Sequence, residues 1–116
     1  MQKLTHQEIL NQRAGNKNLD RLPVCLLLDN IRSLYNVGSL FRLADGARLE
    51  RVLLAGITGA PPHKGIRKTA LGADEFVPWE YHVDSLKLAK RLVNSGYQLV
   101  VLEHVNSAKA HWNVEY

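Results

Sequence analysis

The densest concentration of reactive and polar side chains is the run Asp29-Asn30-Ile31-Arg32-Ser33-Leu34-Tyr35-Asn36-Val37-Gly38-Ser39-Leu40-Phe41-Arg42. It joins an apolar stretch to a helical pattern, so its cations, hydroxyls and amides gather where two elements meet. At about 100° per residue, Gly38, Ser39, Arg42 and Asp45 share one helix face opposite much of the apolar stripe, which carries Arg42 outward on a rigid element. A glycine near a helix N-terminus lets the backbone approach an anion, and the N–H groups there favour phosphate. The combination suits a phosphodiester. The same residues also fit a capped helix whose Arg42 pairs with Asp45 in solvent.

Other constellations are weaker. Gly59-Ala60-Pro61-Pro62-His63-Lys64-Gly65 lacks the order of a nucleotide-triphosphate loop, because Lys64 precedes its glycine. With Arg67 and Lys68 close behind, the segment either contacts nucleic-acid phosphate or is a plain solvated loop. The five histidines, at positions 6, 63, 82, 104 and 111, are scattered, and no cysteine pair or H-E-x-x-H run accompanies them, so no metal site is expected. Cys25 is the sole cysteine; it lies inside Val24 to Leu28, which suits a core thiol and a reducing compartment. Trp79, Tyr81 and Trp112 could stack on bases, but Phe76, Val77, Pro78, Trp79 and Tyr81 together more often build a core or a subunit contact.

These side chains need a scaffold, and the periodicities supply one. Thr5-x-x-Glu8 opens a short helix over 5–14 as a surface arm. Pro23 to Asp29 is a continuous apolar run, expected as a central strand buried on both faces. Val37, Leu40, Phe41, Ala44 and Ala47 follow helical spacing to about Arg48, with Asn36 as the N-cap. Arg51 to Ala55 reads as a second strand and Gly56 to Gly65 as a loop. Lys68 to Ala73 reads as one or two helical turns and Glu75 to Tyr81 as a third strand. Asp84 to Asn94 reads as an amphipathic helix closed by Gly96, and Tyr97 to Glu103 as a fourth strand. Strand and helix alternate, so the class is α/β: a mainly parallel sheet with helices on both faces and right-handed crossovers. Ligands of such sheets bind beyond the carboxyl ends of the strands. No G-x-G-x-x-G follows the first strand, which disfavours a dinucleotide binder.

Composition sets the outer bounds. The chain has 116 residues, 46% of them hydrophobic and 22% charged, with four prolines. That is the make-up of one globular domain, neither disordered nor collagen-like. Fifteen Lys and Arg against eleven Asp and Glu give a formal charge of +4, which permits a polyanionic partner without identifying it. No apolar run approaches the ~20 residues of a membrane span, and the N-terminus lacks a signal-peptide core, so a cytoplasmic protein without a membrane partner is expected.

Asn36-x-Gly38-x-x-x-Arg42, preceded by Leu28-Asp29-Asn30-Ile31-Arg32 and followed by Ala44-Asp45-Gly46, resembles the first motif of the SpoU family of RNA ribose 2'-O-methyltransferases. Lys68-Thr69-Ala70-Leu71-Gly72-Ala73 resembles that family's lysine-containing segment, and the similarity spans roughly residues 22–104. The resemblance implies methyl transfer from S-adenosylmethionine to a ribose 2'-hydroxyl of tRNA or rRNA, on a homodimer with a trefoil knot and without a metal. It places Arg42 and Asn36 at the reacting ribose, Arg42 either holding the adjacent phosphate or assisting removal of the hydroxyl proton. The first role is physically easier, since a guanidinium titrates above ~12 and its donors match phosphate. Asn36 either caps the helix or holds Arg42 or the substrate. Arg32, Ser39, Lys64, Arg67 and Lys68 are then available to the RNA. The end of the fourth strand, Leu102-Glu103-His104, is one edge of the cofactor pocket by the same resemblance, or a bland strand terminus.

The family's second motif, a Gly-x-Glu-x-x-Gly strand and loop, and its third, a Ser-Leu-Asn knot segment, have no counterpart in the sequence. The chain therefore resembles a Rossmann-like part of a trefoil-knot domain with the knot segment absent: an arm over 1–22 and a partial methyltransferase domain over 23–116. Weak or absent cofactor binding, and no activity of this chain alone, are the corresponding expectations. A noncatalytic RNA-binding or dimerisation module is the alternative from another class.

Overall fold

The computed structural model describes residues 20–102. The helix expected over 5–14, the cofactor-side residues Glu103 and His104, and Trp112 lie outside them. The chain divides into two compact units, Met1–Ser85 and Leu86–Tyr116. The first contains β1 (Leu22–Asp29), α1 (Leu34–Gly46), β2 (Leu49–Ala55), α2 (Lys64–Ala70), α3 (Ala73–Phe76) and β3 (Trp79–His82). The second contains nearly all of α4 (Ser85–Asn94).

The fold is α/β. Three parallel strands in the order β1-β2-β3 form the sheet, flanked by helices. Val52, Leu53, Leu54 and Ala55 of the middle strand are fully buried, as an unbroken apolar run in a covered parallel strand must be. Leu28, Val52 and Leu54 form one side of the core, against Val37, Phe41 and Ala44 of α1, Ile66 and Ala70 of α2, and Ala73 and Val77 around α3. Fully burying a side chain such as Phe41 or Ile66 is worth about 1.5–3 kcal/mol, so this layer supplies most of the local stability.

Several elements differ from expectation for identifiable reasons. Among the described residues β1 is an edge strand rather than a central one: Leu22, Pro23 and Val24 are exposed and only Leu28 is fully buried. An apolar run reads alike in either position, whereas the ladder here runs on the β2 side only, with an irregularity between Leu22 and Cys25 around a proline that cannot donate. Cys25 is accordingly half-buried, its thiol donating to Glu50 Oε2 at 2.7 Å. α1 begins two residues before Asn36, because Ser33 is its N-cap: the extended Ser33 accepts the Asn36 N–H on Oγ at 3.1 Å.

Lys64 and Gly65 leave the expected loop and open α2, which runs to Ala70, because His63 Nδ1 caps it by accepting the Gly65 N–H at 2.9 Å. Glu75 and Phe76 are helical, in α3. The third strand starts only at Trp79, since Val77 is extended before Pro78, whose carbonyl accepts the Val52 N–H at 2.9 Å.

α4 ends as expected at Asn94, and Gly96 just beyond it takes a φ of +103°. The segment beyond it, 97–102, forms no strand, correcting the expected fourth one. Leu99, Val100, Val101 and Leu102 are all exposed. Apolar and β-branched composition favours strand conformation, but a strand also needs a ladder partner, and among the described residues this segment has none.

Across β2 and β3, Arg51 hydrogen-bonds Glu80, and His82 Nε2 lies 3.0 Å from Glu80 Oε1. Burial acts to raise the Glu80 carboxyl, but hydrogen bonds from His82 and Arg51, and the charge of both, outweigh it and hold the group below its ordinary value. A carboxyl depressed in the folded state adds stability that is complete above its unfolded value, near 4.5, and is lost as pH falls through the lower folded one. Glu80→Gln removes that titration. Thermal melts between about pH 7 and about pH 3 should show the wild type more stable than Glu80→Gln at the upper end and the gap closing toward the lower; a gap independent of pH would contradict the assignment.

Candidate functional site

Parallel strands present their carboxyl ends together, and here the two loops that leave them are sewn to one another. Thr58, almost fully buried, accepts the Ile31 N–H at 2.9 Å and donates to the Leu28 carbonyl at 3.0 Å. Asn30 takes a left-handed φ of 54°, and its Oδ1 accepts the Ile57 N–H at 3.0 Å. Gly56 faces that amide: a Cβ there would lie 2.0 Å from Asn30 Oδ1, at a φ of +65°, so only glycine fits. The Tyr81 hydroxyl donates to the Gly56 carbonyl and brings β3 into the same knot of hydrogen bonds. Tyr81 is thus a structural residue. Thr58 carried no sequence signal beyond a threonine within a glycine-rich loop, and Asn30 entered only as a member of the polar run, without this role.

This stitching fixes the start of α1, and Gly38 fixes its approach to α2. A Cβ on Gly38 would fall 2.1 Å from Thr69 Oγ1 and 2.2 Å from the Ile66 carbonyl oxygen. Gly38 is buried in a helix–helix contact, so the expectation that it meets an anion is corrected; the face it occupies is covered by α2. Thr69 Oγ1 also donates to the Tyr35 carbonyl at 2.7 Å, which ties the first turn of α1 to α2.

Beyond that contact the two helices diverge into an open groove of about 740 Å³. Tyr35, Ser39, Arg42 and Leu43 line it from α1, with Lys68 of α2 and Leu71 from the turn that follows. Arg42, expected with Asn36 at the reacting ribose, and Ser39 and Lys68, expected among the RNA contacts, line the same groove. Neither Arg42 nor Lys68 joins an ion pair among the described residues, so the expected alternative of an Arg42–Asp45 pair is not what forms. Among the described residues no carboxylate lines the groove. Two cations in such a setting attract phosphate, the guanidinium through paired donors and the ammonium as a point charge.

The remaining candidates lie elsewhere. Asn36, Arg32 and Lys64 are exposed but outside the groove lining. The Asn36 backbone amide serves the Ser33 cap, so Asn36 is not itself the cap. Arg67 is committed to α3: its guanidinium lies 3.8 Å from Asp74 Oδ2 and 3.7 Å from Glu75 Oε1. Leu102 is 84% exposed on a segment without a ladder. Among the described residues no group of three or more His, Cys, Asp and Glu is placed to hold a metal ion, and no helix is long and apolar enough to cross a membrane.

Comparison with known proteins bears on this geometry. The SpoU rRNA methylase family model matches residues 23–116. The chain is 27% identical over 94 residues to a protein of Staphylococcus saprophyticus named for the TrmH family of tRNA/rRNA methyltransferases, covering 81% of this chain and 38% of that one. It is 32% identical over 83 residues to a 23S rRNA (guanosine-2'-O-)-methyltransferase RlmB of a Burkholderia species, covering 67% and 32%. A protein of the same name from Pseudomonas aeruginosa is 27% identical over 94 residues, covering 81% and 36%. The chain thus spans about a third of the length of these curated relatives.

Gly38→Ala tests the contact that shapes the groove. The obstructing Ile66 oxygen is backbone and cannot swing aside, so the substitution should cost about 1–3 kcal/mol, read as a fall in Tm. Gly46→Ala, whose Cβ would meet nothing within 4 Å, is the control and should be neutral or stabilising by up to about 1 kcal/mol. Equal stability of the two variants would refute the close approach.

Proposed function

Because the chain belongs to the SpoU rRNA methylase family, we propose that it serves methylation of a ribose 2'-hydroxyl in tRNA or rRNA, with S-adenosylmethionine as the methyl donor, and that its described residues form the RNA side of that reaction. The observation that carries the reading is the convergence of Arg42 and Lys68, from two helices locked at Gly38, on a groove without a carboxylate. Arg42 holds the phosphate beside the reacting ribose through paired donors, which fixes the nucleotide and offsets charge near its sugar. A guanidinium is a poor proton acceptor, so holding and orienting is the role its chemistry favours. Lys68 adds a second phosphate contact, and Ser39 offers a hydroxyl between them. Asn36, Arg32 and Lys64 extend the path for RNA along exposed surface, with Arg67 a lesser contributor because Asp74 and Glu75 already engage it. In this reading the N-terminal arm ends before Arg21, which already hydrogen-bonds the Leu49 and Phe76 carbonyls, and the protein acts as a cytoplasmic homodimer.

The described residues do not fit the methyl donor. Leu102, the described member of the expected cofactor edge, stands almost wholly in solvent, and the groove's two cations disfavour a positively charged sulfonium. The 116-residue chain by itself binds RNA and not S-adenosylmethionine.

Two titrations of this chain test the reading. Fluorescence anisotropy with labelled tRNA at several salt concentrations should show affinity falling as salt rises, and Arg42→Ala and Lys68→Ala should each reduce the slope of log affinity against log salt by about 1. Unchanged slopes in both variants would remove the groove from the RNA path. Calorimetric titration with S-adenosylmethionine should show no heat of binding; micromolar binding would overturn the statement about the cofactor.

A further inference from the structure

Beside its two cations the groove carries large apolar side chains. Tyr35, Leu43 and Leu71 all line it, and they are 67%, 57% and 56% exposed. Single exposed apolar side chains are ordinary on a protein surface, but three that share one groove with two cations are a patch. Tyr35, Ser39, Arg42 and Leu43 stand at i, i+4, i+7 and i+8 and so form one stripe along α1, with Tyr35 about 10 Å along the axis from Arg42.

The opposite wall is held with some strain. Leu71 adopts φ 51°, ψ 45° at the end of α2, a left-handed position where glycine is usual and a Leu side chain is disfavoured. Its side chain gains nothing from the core, to which it does not belong. Strained residues of this kind gather at binding sites. Across the groove, the hydrogen bond from Thr69 to the Tyr35 carbonyl pins the backbone that carries the aromatic ring to the helix that carries Lys68. Ring, leucines and cations are thus set on two helices that cannot shift independently.

Resting on the RNA-binding reading, we infer that Tyr35, supported by Leu43 and Leu71, is a stacking platform for one unpaired nucleobase of the RNA, beside the phosphates held by Arg42 and Lys68. A nucleotide is an anion joined to a flat ring with apolar faces, and the groove offers two cations together with an exposed aromatic and apolar neighbours. A paired base in a duplex has both faces covered by its neighbours, so the platform selects single-stranded or extruded nucleotides and tolerates any base identity.

The test uses the 116-residue chain, a fluorescently labelled single-stranded RNA containing one 2-aminopurine, and the same RNA annealed to its complement. Tyr35→Ala should weaken single-strand binding roughly 5- to 150-fold, remove the change in 2-aminopurine fluorescence, and leave duplex binding and the salt slope as in the wild type. Tyr35→Phe, which keeps the ring, should bind like the wild type. Arg42→Ala should instead lower the salt slope with both RNAs. Wild-type single-strand affinity in Tyr35→Ala, equal losses for single strand and duplex, or a Tyr35→Phe as weak as Tyr35→Ala would each overturn the platform. If Arg42→Ala lowers the slope while Tyr35→Ala changes nothing, the platform fails and the RNA-binding reading stands; if neither variant matters, both fail.

Discussion

At Gly38 the two helices α1 and α2 come so close that no carbon atom fits between the Gly38 backbone and the Ile66 carbonyl. Much of the candidate site follows from that single contact. Helix backbones can approach this far only where one of them carries no side chain, and the approach brings Thr69 within reach of the Tyr35 carbonyl. Beside that contact lies the groove, lined by Arg42 from α1 and by Lys68 from α2. The apolar layer of Val37, Phe41, Ile66 and Ala70 beneath it supplies the energy, and the glycine sets the distance.

A second constraint orients the pair against the sheet. Thr58 joins the loops that follow β1 and β2 through one accepted and one donated hydrogen bond. Each such bond is worth only about 0.5–1.5 kcal/mol net, less than a buried leucine contributes. Their weight lies in geometry: left unmade, the buried hydroxyl and its partners would carry the full cost of desolvation, so the loops have one satisfactory arrangement. Asn30 and Gly56 complete it with two left-handed backbones and a side-chain cap. The carboxyl ends of the strands, where ligands of such sheets bind, are therefore rigid.

Charge in this protein is sorted by partner rather than by residue type. Arg67 and Lys68 are adjacent in the chain, yet Arg67 is drawn to Asp74 and Glu75 while Lys68 turns into the groove. Arg51 likewise serves Glu80 on the sheet. A basic sequence with a formal charge of +4 thus presents a small part of its positive charge at the candidate site, and the acidic residues of α3 decide which part.

The sequence by itself determined the class of the fold, because alternating apolar runs and helical stripes admit few layered arrangements, and it identified the family, because Asn36, Gly38 and Arg42 stand at characteristic spacing. Among its candidates for the RNA side were Ser39, Arg42 and Lys68, which the structure brings to one groove. It did not determine that β1 is an edge strand, that Ser33 rather than Asn36 caps α1, that α2 begins at Lys64, or that 97–102 forms no strand. A cap depends on local backbone angles, and a strand on a hydrogen-bond partner distant in the chain; neither is written in the periodicity of one segment. Only the tertiary structure turned Gly38 from a candidate anion contact into the spacer between two helices and set Tyr35 and Leu71 across one groove. Those assignments belong to pairs of residues about thirty positions apart, and a pair exists only once the chain has packed.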